Sequence, residues 1–240
     1  VIFWSAISSH IHGEGEYVNI QYGYQLSTFY QAQAGLLRIT GGLQATAVPA
    51  LILDTMPEID FLIRGESELV LCEIANLIDK GEIGSIKRVS GVAYRDAENN
   101  VIEAPRQNII GNMDEIPLYD YSLFEDQTFF RPYNGDVVRA VDYELSRGCI
   151  YSCEYCVETI IQNYYGFSEI GKRGSIRNSK SYLRNKSAMR VFEEISYLHR
   201  ELNIELFRCQ DTNFLTIDWA VLIQLAELLD SSGFNIKLYV

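Results

Sequence analysis

Three of the five cysteines of this 240-residue chain lie in one short stretch, SRGCIYSCEYC. They are Cys149, Cys153 and Cys156, with the spacing C-x3-C-x2-C. Thiolates ligate iron–sulfur clusters, and three of them from one loop can hold three irons of a cubane [4Fe–4S] cluster. The fourth iron is then open to a ligand from outside the protein, and an open position is typical of a metal centre that does chemistry. The spacing therefore indicates a reactive iron–sulfur centre.

Other uses of the cysteines have less support from the spacing. A zinc site would need a fourth ligand, and the downstream candidates His199 and Cys209 do not have finger-type spacing. Cys209 ends an apolar run and Cys72 lies in an apolar helical pattern, so both are expected to pack in the interior as free thiols. Because the cysteine count is odd and three are clustered, we expect a reducing compartment and a cytoplasmic protein.

The residues around the cysteines resemble the radical S-adenosylmethionine (SAM) superfamily. The stretch ELSRGCIYSCEYC is similar to the form found in the branch of that superfamily that carries a cobalamin-binding domain. The resemblance implies that SAM chelates the open iron, and that one electron from the cluster cleaves SAM to methionine and a 5′-deoxyadenosyl radical. It also implies that Tyr155, the aromatic residue directly before Cys156, belongs to the cofactor site.

An upstream set of residues resembles the later half of a cobalamin-binding Rossmann-like domain. The set consists of Ser5, the pattern GG-x-x-x-T at Gly41, Gly42 and Thr46, and the segment IRGESE. In such domains the serine and the glycine pair line the cleft that holds the nucleotide tail of cobalamin. Glycine suits this place because it lets the backbone approach a bulky ligand closely. We therefore expect cobalamin as a third cofactor, beside the [4Fe–4S] cluster and SAM.

The resemblance continues after the cysteines. RNKSAMRVFEEISYL resembles the first long helix region of the family barrel, and FRCQDTNF resembles its second strand and the acidic turn that follows. Asp211 then lies at the carboxyl end of a strand, where it could face SAM or substrate; the alternative is a cap on the next helix. Residues 170–191 contain seven basic residues and no acidic ones, which indicates either an exposed loop or a contact surface for an anion.

Composition limits the partners. The net charge of −12 and the isoelectric point near 4.7 argue against a general nucleic-acid-binding surface, which needs excess positive charge. No run of 18 uncharged apolar residues occurs, so no membrane span is predicted. The expected partners are a small-molecule or peptide substrate and an external electron donor of the flavodoxin or ferredoxin type.

The order of strand and helix signals predicts an α/β fold with parallel strands. We expect a partial cobalamin-binding Rossmann-like domain at 1–84, a β-hairpin and connector at 85–136, and the first part of a radical SAM (βα) barrel at 137–240. Both ends lie in strand-like runs, so the chain is interpreted as a fragment. The family's cobalt-coordinating histidine segment would precede residue 1, and His10 and His12 are interpreted as loop residues.

Together these features predict a radical SAM enzyme, dependent on cobalamin and acting as a C-methyltransferase. Other radical chemistry, such as ring formation, uses the same parts. The alternative from another class is an iron–sulfur electron-transfer or sensing module, which would need a fourth protein ligand.

Overall fold

The computed structural model describes residues 1–5, 16–29, 36–167 and 179–240. The chain forms two compact units, of which the first contains residues 1–110 and 151–177 and the second contains residues 111–150 and 178–240. His10 and His12 lie outside the described residues, as does the part of the basic segment before residue 179. No helix in the described ranges is long and apolar enough to cross a membrane.

A five-stranded sheet organises the first unit. In chain order the elements are β1 (Ile2–Ser5), α1 (Glu16–Phe29), β2 (Arg38–Gly41), α2 (Leu43–Ala47), α3 (Pro49–Thr55), β3 (Phe61–Ile63), α4 (Glu68–Asp79), β4 (Val92–Arg95), β5 (Val101–Glu103) and α5 (Val157–Tyr164). The strands lie side by side in their chain order. The first three are parallel, and the hairpin of β4 and β5 continues the sheet in antiparallel sense.

Apolar clusters lie on both faces of this sheet, because successive side chains of a strand point to opposite faces. On one face Leu62 of β3 packs in a cluster with Ile52 of α3. On the other face Ile63 packs in a cluster with Val70 and Ile74 of α4. A parallel sheet that is covered on both faces presents the carboxyl ends of its strands as the free edge for a ligand.

The second unit has a four-stranded sheet. Its elements are β6 (Phe130–Tyr133), β7 (Asp136–Tyr143), β8 (Ser146–Arg147), α6 (Ser179–Tyr182), β9 (Arg184–Asn185), α7 (Ala188–Leu202), β10 (Leu206–Cys209), α8 (Trp219–Ser232) and β11 (Lys237–Tyr239). The sheet order is β11-β10-β7-β6, in which β7, β10 and β11 are parallel and β6 is antiparallel. The short strands β8 and β9 form a separate antiparallel pair.

Helix α7 shows why this unit folds as its sequence predicts. Val191, Ile195 and Leu198 recur at helical spacing and are completely buried. The hydroxyl of Ser187 accepts a hydrogen bond from the Arg190 N–H at 3.1 Å and so caps the first turn. The helix ends at Asn203, whose φ of 52° is in the left-handed region.

The predicted α/β class with parallel strands is confirmed, whereas some local predictions are wrong. Residues 85–88, at the start of the predicted hairpin segment, belong to a 3₁₀ helix (Ile83–Arg88), and β6 lies within the predicted connector. Cys72 is exposed rather than buried, because α4 buries Val70 and Ile74 and position 72 falls on the opposite face. The boundaries 1–84, 85–136 and 137–240 stay a prediction.

Candidate functional site

The turn that leads into the cysteine motif requires glycine. Gly148 follows β8 and has a φ of 94°, in the region that side chains rarely adopt. A Cβ added at Gly148 would lie 2.5 Å from the carbonyl oxygen of Tyr182, a residue that is itself buried. The backbone therefore enters the motif at Cys149 through a close approach that only glycine permits.

Two side chains of α5 hold the next part of the cysteine loop. The Thr159 hydroxyl donates a hydrogen bond to the carbonyl oxygen of Cys153 at 2.8 Å. The Gln162 amide donates to the carbonyl oxygen of Tyr151 at 2.7 Å, and its oxygen accepts from the Ser152 hydroxyl at 3.0 Å. Gln162 is completely buried, so its own amide group is shielded from water and depends on these partners. Gln162 and Thr159 thus act as anchors of the loop.

Sequence reasoning missed both anchors and the helix that carries them. The available signal was VETIIQNYY directly after Cys156, in which a glutamine stands between apolar and aromatic residues. The segment is too short for a clear helical period, and its N-cap is Cys156, which is not a usual capping residue.

None of the three motif cysteines forms a disulfide bond among the described residues. Cys149 is buried, and Cys153 and Cys156 are partly exposed. Tyr155 is 92% exposed, which leaves its ring accessible at the surface of the first unit. Within the described ranges, no three His, Cys, Asp or Glu side chains are gathered closely enough to hold a metal ion. Free thiols are the donor set that an iron–sulfur cluster takes, so the residue chemistry fits the group, and ligation by these cysteines stays a prediction.

Asp211 follows β10 and binds the backbone just before the cysteine motif. Its Oδ1 accepts hydrogen bonds from the N–H groups of Leu145 at 3.1 Å and Ser146 at 2.6 Å, and from the Ser146 hydroxyl at 2.6 Å. Burial raises the pKa of this carboxyl above its ordinary value, although the bonds from Ser146 oppose the shift. The alternative that Asp211 caps the next helix is wrong, because Asp218 caps α8 through the Ala220 N–H.

Glu144 lies between β7 and β8 and pairs with the arginine of the motif. Arg147 Nε donates to Glu144 Oε1 at 2.9 Å and to Oε2 at 3.1 Å, and Arg147 Nη2 donates to Oε1 at 2.6 Å. The guanidinium thus contacts both carboxylate oxygens, a bidentate arrangement. Arg147 Nη2 also lies 3.4 Å from the Tyr119 hydroxyl. The pair therefore braces the turn before Gly148.

The described part of the basic segment contributes to a buried ion cluster in the second unit. Glu194 is 3% exposed and pairs with Lys186 Nζ and Arg190 Nε, each at 2.7 Å. It also accepts a hydrogen bond from Tyr143 at 2.5 Å. Burial and the charge of Glu194 raise the pKa of Tyr143, so this hydroxyl stays a donor. Lys186 and Arg190 therefore have an internal partner, which argues against their use as a contact surface for an anion.

The structure brings two of the predicted cobalamin-site residues together. Ser5 pairs in register with Gly41 at the carboxyl ends of the neighbouring parallel strands β1 and β2. Gly42 has φ 102° and ψ −163°, a conformation open to glycine alone. A Cβ added at Gly41 would lie 2.8 Å from Ser67 Oγ and 3.3 Å from Ile63 Cβ. The packing at Gly41 and the backbone conformation at Gly42 therefore require glycine at both positions. Their contact with cobalamin stays a prediction.

Thr46 lies in the interior of the first unit, with both hydrogen-bonding functions of its hydroxyl engaged. The side chain is 2% exposed, its Oγ1 donates to the Gly42 carbonyl oxygen at 2.8 Å, and it accepts from the Gly65 N–H at 2.7 Å. A hydroxyl has one proton to donate, so these bonds use that proton. Thr46 therefore shapes the glycine turn, and any effect that it has on cobalamin binding is indirect, through the conformation of that turn.

Cys209 behaves as a packing residue, as its sequence context predicts. Its side chain packs against the core of the second unit, and burial raises the pKa of its thiol to about 12. The thiolate is the form that binds metals, so a thiol with this pKa is a poor ligand at neutral pH.

Comparison with curated proteins finds similarity to a methyltransferase and to a cyclase. No protein-family model matches the chain. An uncharacterized methyltransferase of Pyrococcus horikoshii is 29% identical over 199 residues, which is 83% of this chain and 38% of the relative. The anaerobic magnesium-protoporphyrin IX monomethyl ester cyclase of Synechocystis is 26% identical over 203 residues, 85% of this chain and 36% of the relative.

Two solved structures are similar to this chain in fold. The cobalamin-dependent SAM radical enzyme OxsB, with aqua-cobalamin and SAM bound, matches 99% of this chain and 30% of its own, with a TM-score of 0.66 and 17% identity. The radical SAM methyltransferase TsrM of Kitasatospora setae, with cobalamin and a [4Fe–4S] cluster bound, matches 88% of this chain and 36% of its own, with a TM-score of 0.56 and 17% identity.

The chain shares the fold of cobalamin-dependent radical SAM enzymes. This is the fold that the resemblance of the cysteine motif and the glycine pattern implies. OxsB is solved with aqua-cobalamin and SAM bound, and TsrM with cobalamin and a [4Fe–4S] cluster bound. The chain spans about a third of the length of the relatives it matches, 38% and 36% for the two curated ones.

Proposed function

We propose that this chain is the part of a radical SAM enzyme that carries the cluster loop and a portion of the cobalamin domain. The observation that carries the proposal is the anchored C-x3-C-x2-C loop. It comes after the parallel strand β7 and the short strand β8, begins at a glycine that no other residue can replace without strain, and is held by Thr159 and Gln162. Such support is what a reactive centre needs, because loosely held ligands do not position a cofactor.

In this proposal Cys149, Cys153 and Cys156 hold the cluster, and Ser5, Gly41 and Gly42 form the floor of the cobalamin site. Tyr155 and Asp211 contribute to the SAM side, Tyr155 by its exposed ring and Asp211 by fixing the backbone before Cys149. When bound, the cluster would supply the electron for the reductive cleavage of SAM, and cobalamin would supply a methyl group.

We further propose that residues 137–240 contain the first part of a (βα) barrel. The parallel strands β7, β10 and β11 lie side by side in chain order, and α7 and α8 connect them. A sheet that grows in one direction in this way is typical of a barrel, whereas a doubly wound sheet reverses its order. The Rossmann-like portion, the connector and the barrel portion keep the boundaries 1–84, 85–136 and 137–240.

Methyl transfer to a carbon of a small molecule or peptide is the reaction we favour. Two of the similar proteins are described as methyltransferases. The similarity to an anaerobic cyclase supports radical ring formation as the second candidate. We also propose an external electron donor of the flavodoxin or ferredoxin type and a cytoplasmic location, since free thiols and a cluster require reducing conditions.

Anaerobic reconstitution of the full-length protein tests the proposal. We expect about four irons per protein and an EPR spectrum of the reduced cluster that changes when SAM is added. The Cys153→Ala variant should lose the iron, whereas Cys72→Ala, which removes an exposed thiol on α4, should keep it. Zinc in the wild-type protein, or a cluster spectrum that ignores SAM, would contradict the proposal, and the latter would favour an electron-transfer module.

Analysis of the substrate product then separates the two reactions. Both yield 5′-deoxyadenosine, but methyl transfer adds a methyl group to the substrate, whereas ring formation proceeds without any methyl gain. A protein that cleaves no SAM in the presence of reductant would exclude both reactions.

A further inference from the structure

A chain of short contacts in the first unit connects the glycine turn after β2 to the helix that anchors the cysteine loop. It begins at Gly42, whose carbonyl oxygen accepts from Thr46 Oγ1 at 2.8 Å. Thr46 Oγ1 accepts from the Gly65 N–H at 2.7 Å, and the next N–H, that of Glu66, donates to the Tyr165 hydroxyl at 2.7 Å. Tyr165 is the C-cap residue of α5.

The turn at residues 64–66 has little freedom to move independently of Tyr165. Gly65 has a φ of 84°, and its Cα lies so close to the Tyr165 hydroxyl that a Cβ would collide with it. The Glu66 carboxylate accepts from the Ile110 N–H at 2.9 Å, and the guanidinium of Arg64 lies 4.8 Å from the centre of the Tyr164 ring. Several independent contacts therefore fix this turn against the end of α5.

The other end of α5 holds the cysteine loop. The helix begins after Cys156, and Thr159 and Gln162 bind the carbonyl oxygens of Cys153 and Tyr151. The hydrogen bonds and the short helix therefore form a continuous path between the glycine turn and the cysteine loop, the kind of physical network through which two sites can be coupled.

We propose that Tyr165 is a positioning residue that couples the turn at Gly41 and Gly42 to the cysteine loop. This inference rests on the proposed function, which assigns cobalamin to the turn and the cluster to the loop. Its consequence is that occupancy of the cobalamin site changes the affinity for SAM, and reciprocally that SAM changes the affinity for cobalamin by the same factor.

Hydrogen exchange of the full-length protein without cofactors tests the connection itself. Thr46→Val removes the hydroxyl that binds Gly65, and we expect it to raise amide exchange several-fold in peptides that cover α5. In a Tyr165→Phe background the same substitution should have no further effect on α5, because the path is already cut. Thr55→Val, at an exposed position on α3, is the matched control and should leave α5 unchanged. Exchange changes confined to residues 42–66 would overturn the proposal.

Titration with SAM in the presence and absence of cobalamin tests its consequence. In the reconstituted wild-type protein we expect cobalamin to change the Kd for SAM about fivefold or more, a usual size for such coupling. Tyr165→Phe keeps the ring but loses the hydroxyl, so the ratio of the two Kd values should fall to about one. Tyr197→Phe, at an exposed tyrosine on α7, should keep the wild-type ratio.

The two experiments fail in distinguishable ways. A Tyr165→Phe protein that keeps the wild-type ratio would overturn the coupling and leave the proposed function intact. A wild-type protein that binds neither SAM nor cobalamin would overturn the proposed function, while the exchange result would still decide whether Tyr165 connects the turn to the helix.

Discussion

Asp211 Oδ1 accepts two hydrogen bonds from Ser146, one from the backbone N–H and one from the hydroxyl, both at 2.6 Å. Asp211 follows β10, the second of the three parallel strands β7, β10 and β11. The end of this strand thereby fixes the residue three positions before Cys149. The other oxygen, Oδ2, is buried with no hydrogen-bond partner among the described residues. A buried carboxylate oxygen without a partner is costly in the ionised form and much less so when protonated.

The stability conferred by Asp211 should depend on pH. Burial raises the pKa of Asp211 in the folded protein above its value in the unfolded chain. Protonated Asp211 therefore contributes its full stabilisation below the unfolded pKa, and this contribution is lost as pH rises through the folded pKa. Asp211→Asn keeps an oxygen acceptor and cannot ionise. Urea unfolding between about pH 4 and pH 7 should therefore show wild type gaining stability relative to the variant as pH falls. A pH-independent difference between the two proteins would contradict this assignment.

Gly148→Ala should destabilise the second unit and lower the iron content after reconstitution. The new Cβ meets the Tyr182 carbonyl oxygen at 2.5 Å, in addition to the strain of a φ of 94°. Gly135→Ala separates the two effects, since Gly135 has a similar φ of 89° with open space around its Cα. We expect the free energy of unfolding, measured by chemical denaturation, to fall by about 1 kcal/mol in Gly135→Ala and by at least twice that in Gly148→Ala. Equal losses of unfolding free energy in the two variants would show that the close approach of Gly148 to the Tyr182 carbonyl oxygen is unimportant.

Gln162→Leu should release the cysteine loop while leaving α5 intact. The leucine is similar in size but forms no bond to Tyr151 or Ser152, so two part-buried hydrogen bonds are lost at about 1 kcal/mol each. Protease sensitivity near residue 151 should rise, and the iron content should fall. Gln127→Leu, which removes an exposed glutamine, is the control and should change neither. Full iron content in Gln162→Leu would mean that Gln162 does not anchor the loop.

The thiols should differ in reactivity. Burial raises the pKa of Cys209 to about 12, whereas Cys72 is exposed on α4. Because the thiolate is the nucleophile, iodoacetamide at neutral pH should label Cys72 first and Cys209 last in the folded, cofactor-free protein. Peptide mass spectrometry reads out each site, and labelling in urea shows that all are competent. Early labelling of Cys209 would contradict its packing role and reopen the question of a fourth ligand.

Local sequence signals identified the long elements and the chemistry. Helices α7 and α8 were predictable because apolar residues recur at helical spacing between a capping side chain, Ser187 or Asp218, and a left-handed residue at the end. The cysteine spacing was informative because a cluster takes its ligands from adjacent positions in one loop. In each case the deciding interactions lie within a few residues along the chain.

The sequence by itself determined the donor set, the alternation of strands and helices, and the resemblance that they carry. Only the tertiary structure decided that Asp211 binds Ser146 rather than capping α8, that Lys186 is paired with Glu194, and that Thr46 faces Gly65. These partners are separated by 65, 8 and 19 positions in the chain, and burial determines the pairing even for the nearest of them. The physical reason is that a buried polar group must find a partner wherever folding places one, and no local pattern records that choice.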